Sequence, residues 1–211
     1  MSNRPDLSKF LAHFTRDGVP TGGDSNSNPA GSFSSKSAME KLIGILKSGE
    51  IVAGNIPWVG RKAVCFTECP WSSLLEHANH YAPYAVGFAK PRIFAAGGGP
   101  AYYVRADHWE KQDWDPHLKT FATPFWPDYR PEELKTDEYL NGKTIDYSHE
   151  REWRVPHNFK FGLDNVEFVI LPTYEAMAQF PKELKDGIGR EKFLLMEVYK
   201  TIENLWPVHN I

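Results

Sequence analysis

Apolar and polar residues alternate over FLAHFT, residues 10–15: Phe10, Ala12 and Phe14 take one side of an extended chain, and Leu11, His13 and Thr15 the other. This pattern predicts a short first strand. The next stretch, RDGVPTGGDSNSNPAGSFSSK over residues 16–36, is dense in Gly, Ser, Asn and Pro and has too little apolar surface to hold regular structure. A mobile loop is expected there, placed to act as a lid. Ser37-Ala-Met-Glu40 then has the spacing of a capping box. The helix it opens carries Leu42, Ile43, Ile45 and Leu46 on one face and stops at Ser48-Gly49. KAVCFTE, residues 62–68, reads as a buried strand, and Pro70 suits the first turn of a helix over WSSLLEHANHY. Further strand candidates are AVGFAK (85–90), AYYVRA (101–106), REWRVP (151–156), EFVILP (167–172) and FLLMEVY (193–199). Helices are expected near 131–139 and 173–186.

Strands that gather in the second half, with helices early and between, predict an α+β fold with a mixed or antiparallel sheet rather than a doubly wound parallel one. No repeat or linker interrupts residues 1–211, so one domain is expected. The 24 Lys+Arg against 27 Asp+Glu give a net charge of -3, which does not advertise tight nonspecific nucleic-acid binding. The N-terminal MSNRPDLSKFLAHF lacks the apolar region of a secretory signal, and no apolar run reaches membrane-span length. A soluble, cytoplasmic chain with no membrane partner is the expectation. Cys65 and Cys69 fit neither a disulfide framework nor a zinc knuckle and read as reduced, packed thiols.

Candidate chemistry is sparse. His77 and His80 share a helical face, and His108 and His117 follow, but no zincin pattern surrounds them and no metal is expected. Gly97-Gly98-Gly99 precedes a strand rather than a helix and reads as a flexible turn. FATPFWPDY, residues 121–129, is too rich in proline for a helix; its rings either cap the core or form a wall on which a planar ring could stack. DYSHEREWRVP, residues 146–156, is the most charged of these segments. If it is extended, Glu150, Glu152 and Arg154 share one face and Arg151, Trp153 and Val155 the other. Such a segment is either an edge strand with a solvated charged face or a carboxylate pair lining a cleft.

Taken in order, LAHFT, the helix ending KLIGILKSGEIVA, AVCFTECPWSSLLEHANHYAPYAVGFAK and YSHEREWRVP resemble the AbiGi-like abortive-infection proteins of bacterial phage defence, over roughly residues 11–156. The same order is remotely similar to the DarT-type ADP-ribosyltransferases. That second resemblance implies a split mixed or antiparallel sheet flanked by helices, with NAD consumed as substrate. It places His13 and Thr15 on the first strand and Glu152 or Glu150 on the late one. In arginine-modifying transferases with an E-x-E motif the second glutamate is catalytic, which favours Glu152. Loss of nicotinamide passes through a cation-like ribosyl group, which a fixed carboxylate would stabilise. Glu152 would take that part and Glu150 would orient the acceptor or take its proton, while Arg154 would pair with pyrophosphate or hold Glu152 in place. His13 would hold the ribose or the nicotinamide amide, and Tyr84, Phe125 or Trp126 would stack.

Three readings stay open at this point. One is an NAD-consuming toxin or effector that transfers ADP-ribose to a macromolecular acceptor, protein or nucleic acid, or hydrolyses NAD. Another is a noncatalytic antitoxin or partner protein of an abortive-infection pair, bound to a cognate toxin. The third is a metal-dependent nuclease.

Overall fold

The computed structural model describes residues 8–18, 36–68, 82–109, 111–131 and 144–205. Strand β1 (Phe10–Thr15) is followed by helix α1 (Ala38–Ser48). The capping box forms as its spacing requires: Glu40 N donates to Ser37 Oγ at 3.2 Å, and Ser37 N to Glu40 Oε2 at 2.8 Å. Gly49 ends the helix at φ 64°, donating to the Ile45 carbonyl. A Cβ there would lie 2.7 Å from the Phe161 carbonyl oxygen, so glycine is required by contact as well as by conformation.

Strands β2 (Glu50–Ile51), β3 (Gly54–Ile56), β4 (Arg61–Thr67) and β5 (Tyr84–Ala89) come next, then helix α2 (Lys90–Ala95) with proline in its first turn. Beyond it lie β6 (Gly99–Pro100), β7 (Tyr102–Arg105), α3 (Ala106–Trp109), α4 (Pro116–Lys119) and β8 (Ala122–Phe125). The last third holds β9 (Glu152–Val155), β10 (Phe159–Lys160), β11 (Phe168–Leu171), α5 (Tyr174–Gln179), α6 (Lys182–Ile188), β12 (Phe193–Leu195) and α7 (Met196–Leu205).

The main sheet runs β12-β11-β5-β1-β4-β9-β6, with β3 paired to β4 off that path. Its neighbours are antiparallel except β11 and β12, so the fold is α+β with a mixed sheet. β1 is central. It pairs with β5 along its whole length, from Phe10 opposite Ala89 to Thr15 opposite Tyr84, but meets β4 at one register position, Ala12 opposite Thr67. The sheet therefore opens between β1 and β4 beyond that pair. One face carries the large core, where Leu11, Phe66, Val86, Phe88 and Val155 pack with Leu42 and Leu46 of α1 and with Phe159 and Phe161. On the other face Ala85 and Ile170 pack with Met196 of α7.

Several expectations are corrected. FLLMEVY is not one strand: its pairing with β11 ends at Leu195, and Met196 starts α7, packing on Ala85 and Ile170. The helix expected over 173–186 is two helices, because Pro181 lacks the amide that would continue α5 past Phe180. The 121–129 loop contains β8, parallel to β7. The helices expected at WSSLLEHANHY and near 131–139 fall, wholly or nearly so, outside the described residues, as do positions 19–35 of the 16–36 loop. The two ends of that loop are tied together, with Gly18 N donating to the Lys36 carbonyl and Ala38 N to Asp17 Oδ1.

Candidate functional site around Glu152 and His13

The peptide SHEREWRV does not run extended throughout. Residues Ser148–Glu150 form a 3-10 turn, and Arg151 takes a left-handed conformation at φ 44°. The alternation that would place Glu150 beside Glu152 on one strand face is thus corrected: β9 starts only at Glu152. The turn is held by its backbone, since the Glu150 carbonyl accepts from Thr67 Oγ1 at 2.6 Å and from Glu68 N at 3.3 Å.

From Glu152 onward the alternation holds, and the two faces of β9 do different things. Arg154 is 0% exposed. Its Nε donates to Glu152 Oε1 at 2.9 Å and its Nη2 to Glu152 Oε2 at 2.7 Å, a two-pronged pair along one strand face. The rest of the guanidinium reaches the segment ending in β8, with Nη1 donating to the Thr120 and Ala122 carbonyls and Nη2 to Thr123 Oγ1. Burial opposes this charge, but the hydrogen bonds and charge of Glu152 outweigh it and hold the guanidinium above its ordinary pKa. Trp58 lies over Arg154 at 5.8 Å and stacks on Tyr147.

Cys65 and Tyr103 complete this cluster. Cys65 is a free thiol; burial first, then the charge of and hydrogen bond to Glu152, push its pKa well above the usual thiol value. Tyr103 donates from its hydroxyl to the Tyr147 carbonyl at 2.8 Å, and desolvation, with the charges of Glu152 and Glu150, pushes its pKa up to about 12. Sequence reasoning assigned no site role to Cys65, Tyr103, Trp58 or Thr123. Cys65 and Tyr103 offer one signal, polar atoms on strands that otherwise read as core; Trp58 lies in the turn between β3 and β4 and Thr123 in a segment that reads as a loop, so neither gives one.

On the opposite face of β9, Trp153 Nε1 donates to Glu68 Oε2 at 3.0 Å, and Lys90 both pairs with Glu68 and lies over the Trp153 ring. His13 belongs to this face. Its ring meets Phe66 edge-on at 5.9 Å, and Phe66 is opposite Trp153 in register. His13 Nδ1 hydrogen-bonds the Cys65 carbonyl at 2.8 Å, spanning the opening between β1 and β4 with a side chain where the ladder has stopped. Desolvation lowers its pKa below 6.5, partly offset by that bond. His13 and Glu152 therefore sit on strands separated by β4 alone, with side chains on opposite faces of the sheet.

The other predicted residues divide into groups. Thr15 and Tyr84 are together: Thr15 Oγ1 lies 2.8 Å from the Ala38 carbonyl and 3.2 Å from that of Tyr84. Phe125 closes β8, and Trp126 beyond it is buried, with the guanidinium groups of Arg105 and Arg130 at 5.7 and 5.8 Å from its ring. Among the described residues no three His, Cys, Asp or Glu side chains gather to hold a metal ion; His77 and His80 lie outside them. No described helix is long and apolar enough to cross a membrane.

No curated protein and no solved structure matches the chain. No similarity to DarT-type transferases is shown. The likeness to AbiGi-like proteins is shown: residues 47–123, from the end of α1 into β8, match the family model described as "Putative abortive phage resistance protein AbiGi, antitoxin".

Proposed function

We propose that the chain is the noncatalytic, antitoxin-like member of an abortive-infection pair and works by binding a cognate toxin protein. The observation that carries this reading is the state of Glu152. Both of its oxygens are taken by a completely buried guanidinium, and His13 faces the other side of the sheet. A carboxylate meant to stabilise a ribosyl cation must face the substrate and keep its charge available there. Here that charge is spent on Arg154. The matched family's description supports the same reading.

The test is growth rescue. The toxin is sought as the protein encoded beside this chain. Expressed alone, this chain leaves bacterial growth unchanged, and co-expressed it restores growth arrested by that neighbour. Growth arrest by this chain alone, together with turnover of labelled NAD by the purified protein, defeats the proposal.

One observation favours the transferase reading as the second: β1, β4 and β9 are consecutive in the sheet, and the sheet opens between β1 and β4. In that reading the ADP-ribosyltransferase-like sheet binds NAD through His13, Thr15, Tyr84, Arg154, Phe125 and Trp126. Glu152 and Glu150 then act on the ribosyl group and on a protein or nucleic-acid acceptor. NAD turnover that falls about a hundredfold in Glu152→Gln, measured where thermal unfolding shows the variant still folded, would establish it.

A further inference from the structure

A groove of about 430 Å³, open to solvent, lies between α2 and the connection from β9 to β10. Ala95 and Ala96 give it apolar walls, Phe159 borders it with its side chain buried in the core, and Arg92 and Lys160 line it with cationic groups beside the His157 ring. All three polar side chains belong to exposed residues, and none closes an ion pair with a carboxylate among the described residues. Glu50 lies opposite Lys160 in register, but its Oε1 accepts from Asn158 Nδ2 at 3.2 Å. The site is partly organised: Arg92 Nη2 donates to the Lys160 carbonyl at 3.4 Å, and His157 Nδ1 is engaged by the Asn158 carbonyl at 2.7 Å. Those contacts leave Arg92 Nη1 and Nε, His157 Nε2 and Lys160 Nζ for a ligand.

We infer that this groove takes a short acidic segment of the partner protein, two or three carboxylates in extended conformation, an inference that rests on the antitoxin reading. A guanidinium fork and an ammonium group beside two alanines suit carboxylates on a peptide whose apolar atoms also need cover. Nucleic acid is disfavoured by the charge of the chain: a net charge of -3 and a pI near 6.2 do not supply the broad basic surface that tracks a phosphate backbone. A local basic patch on a mildly acidic protein selects a partner that is acidic at one place.

The test uses the full chain with fluorescein-labelled hexaglutamate, hexaglutamine and a dT12 oligonucleotide, followed by anisotropy at low salt. Hexaglutamate is expected to bind, hexaglutamine not to bind, and the Arg92→Ala/Lys160→Ala double variant to lose about tenfold or more in affinity. Lys47→Ala/Arg190→Ala, which removes two cations already paired with Glu183 and Asp186, serves as the control and retains wild-type affinity. Thermal unfolding at the wild-type temperature shows that the variants are folded. No hexaglutamate binding, equal affinity in the groove variant, or tighter binding of dT12 through the same residues overturns the inference. The assay contains no toxin, so these failures leave the antitoxin reading to growth rescue. Failed rescue with groove-dependent hexaglutamate binding removes the antitoxin reading and the toxin as occupant, and leaves the groove's selection of acidic peptide standing.

Discussion

Removing Arg154 should destabilise the fold far more than removing an ordinary charged surface residue. Arg154→Met keeps much of the apolar stem but deletes five hydrogen bonds, two of them to Glu152 and three to Thr120, Ala122 and Thr123. It also strands the Glu152 carboxylate, whose side chain is 11% exposed, in a site built for its counter-ion. Breaking a buried pair from one side costs about 3–5 kcal/mol, and that range is expected here. Glu152→Gln leaves the guanidinium its three other acceptors but turns an amide N–H₂ toward it, for a loss of about 1.5–3 kcal/mol. A double Glu152→Met/Arg154→Met variant strands no charge and should cost less than the sum of the single changes by about 1–3 kcal/mol. Equilibrium urea unfolding of wild type, the Arg154→Met, Glu152→Gln and Glu152→Met singles and the double variant measures each quantity. If Glu152→Gln unfolds at the wild-type midpoint, or if the changes add, the pair is a solvated surface contact worth less than about half a kcal/mol and the argument fails.

Two further outcomes are expected. His13 has a lowered pKa when folded, so the unfolded chain takes up protons first as pH falls, and the stability linked to this group is present above about pH 6.5 and lost below it. His13→Phe keeps a ring against Phe66 and should flatten the fall of the unfolding midpoint between about pH 7 and 5; an unchanged slope would remove His13 as its source. Gly87 lies opposite Phe168, and a Cβ there would come within 2.3 Å of that ring. Gly87→Ala should cost about 1–3 kcal/mol by pushing Phe168 off Phe10, and Phe168→Leu in the same chain should recover part of the loss, both read from thermal unfolding.

The elements legible in the chain were those with a local cause. Ser37 and Glu40 bond within their own turn, so the start of α1 could be read directly, and the apolar runs of β4, β5 and β11 announce themselves by composition. The strands β2, β6 and β10 are two residues each and exist through their partners: Glu50–Ile51 pairs with Phe159–Lys160 across more than a hundred positions. The pairing of Glu152 with Arg154 was visible as a spacing of two along a strand. Its depth was not, because Thr120, Ala122 and Thr123, which bury and saturate the guanidinium, come from a segment that reads as a loop. The opening of the sheet beside His13 was expected from a resemblance and not from the residues, since FLAHFT alternates in the same way whether or not its second neighbour stays in register.

The charges of EWRV, residues 152–155, have a physical account that neither an exposed edge strand nor a carboxylate pair supplies. β9 is not a sheet edge, for β4 bonds one side of it and β6 the other. Both of its faces are covered, so each polar side chain needs a partner from elsewhere in the fold. Glu152 and Arg154 answer each other on one face and draw in β8; Trp153 on the other finds Glu68, whose charge is answered by Lys90 at the start of α2. One tetrapeptide thereby ties the segment before β8 to the sheet and the ends of β4 and β5 to each other. Alternating charge beside tryptophan lets this interior strand bind different segments on its two faces. A catalytic role for Glu152 would have to coexist with that work, which is why its substitution should be read first as stability and only then as activity.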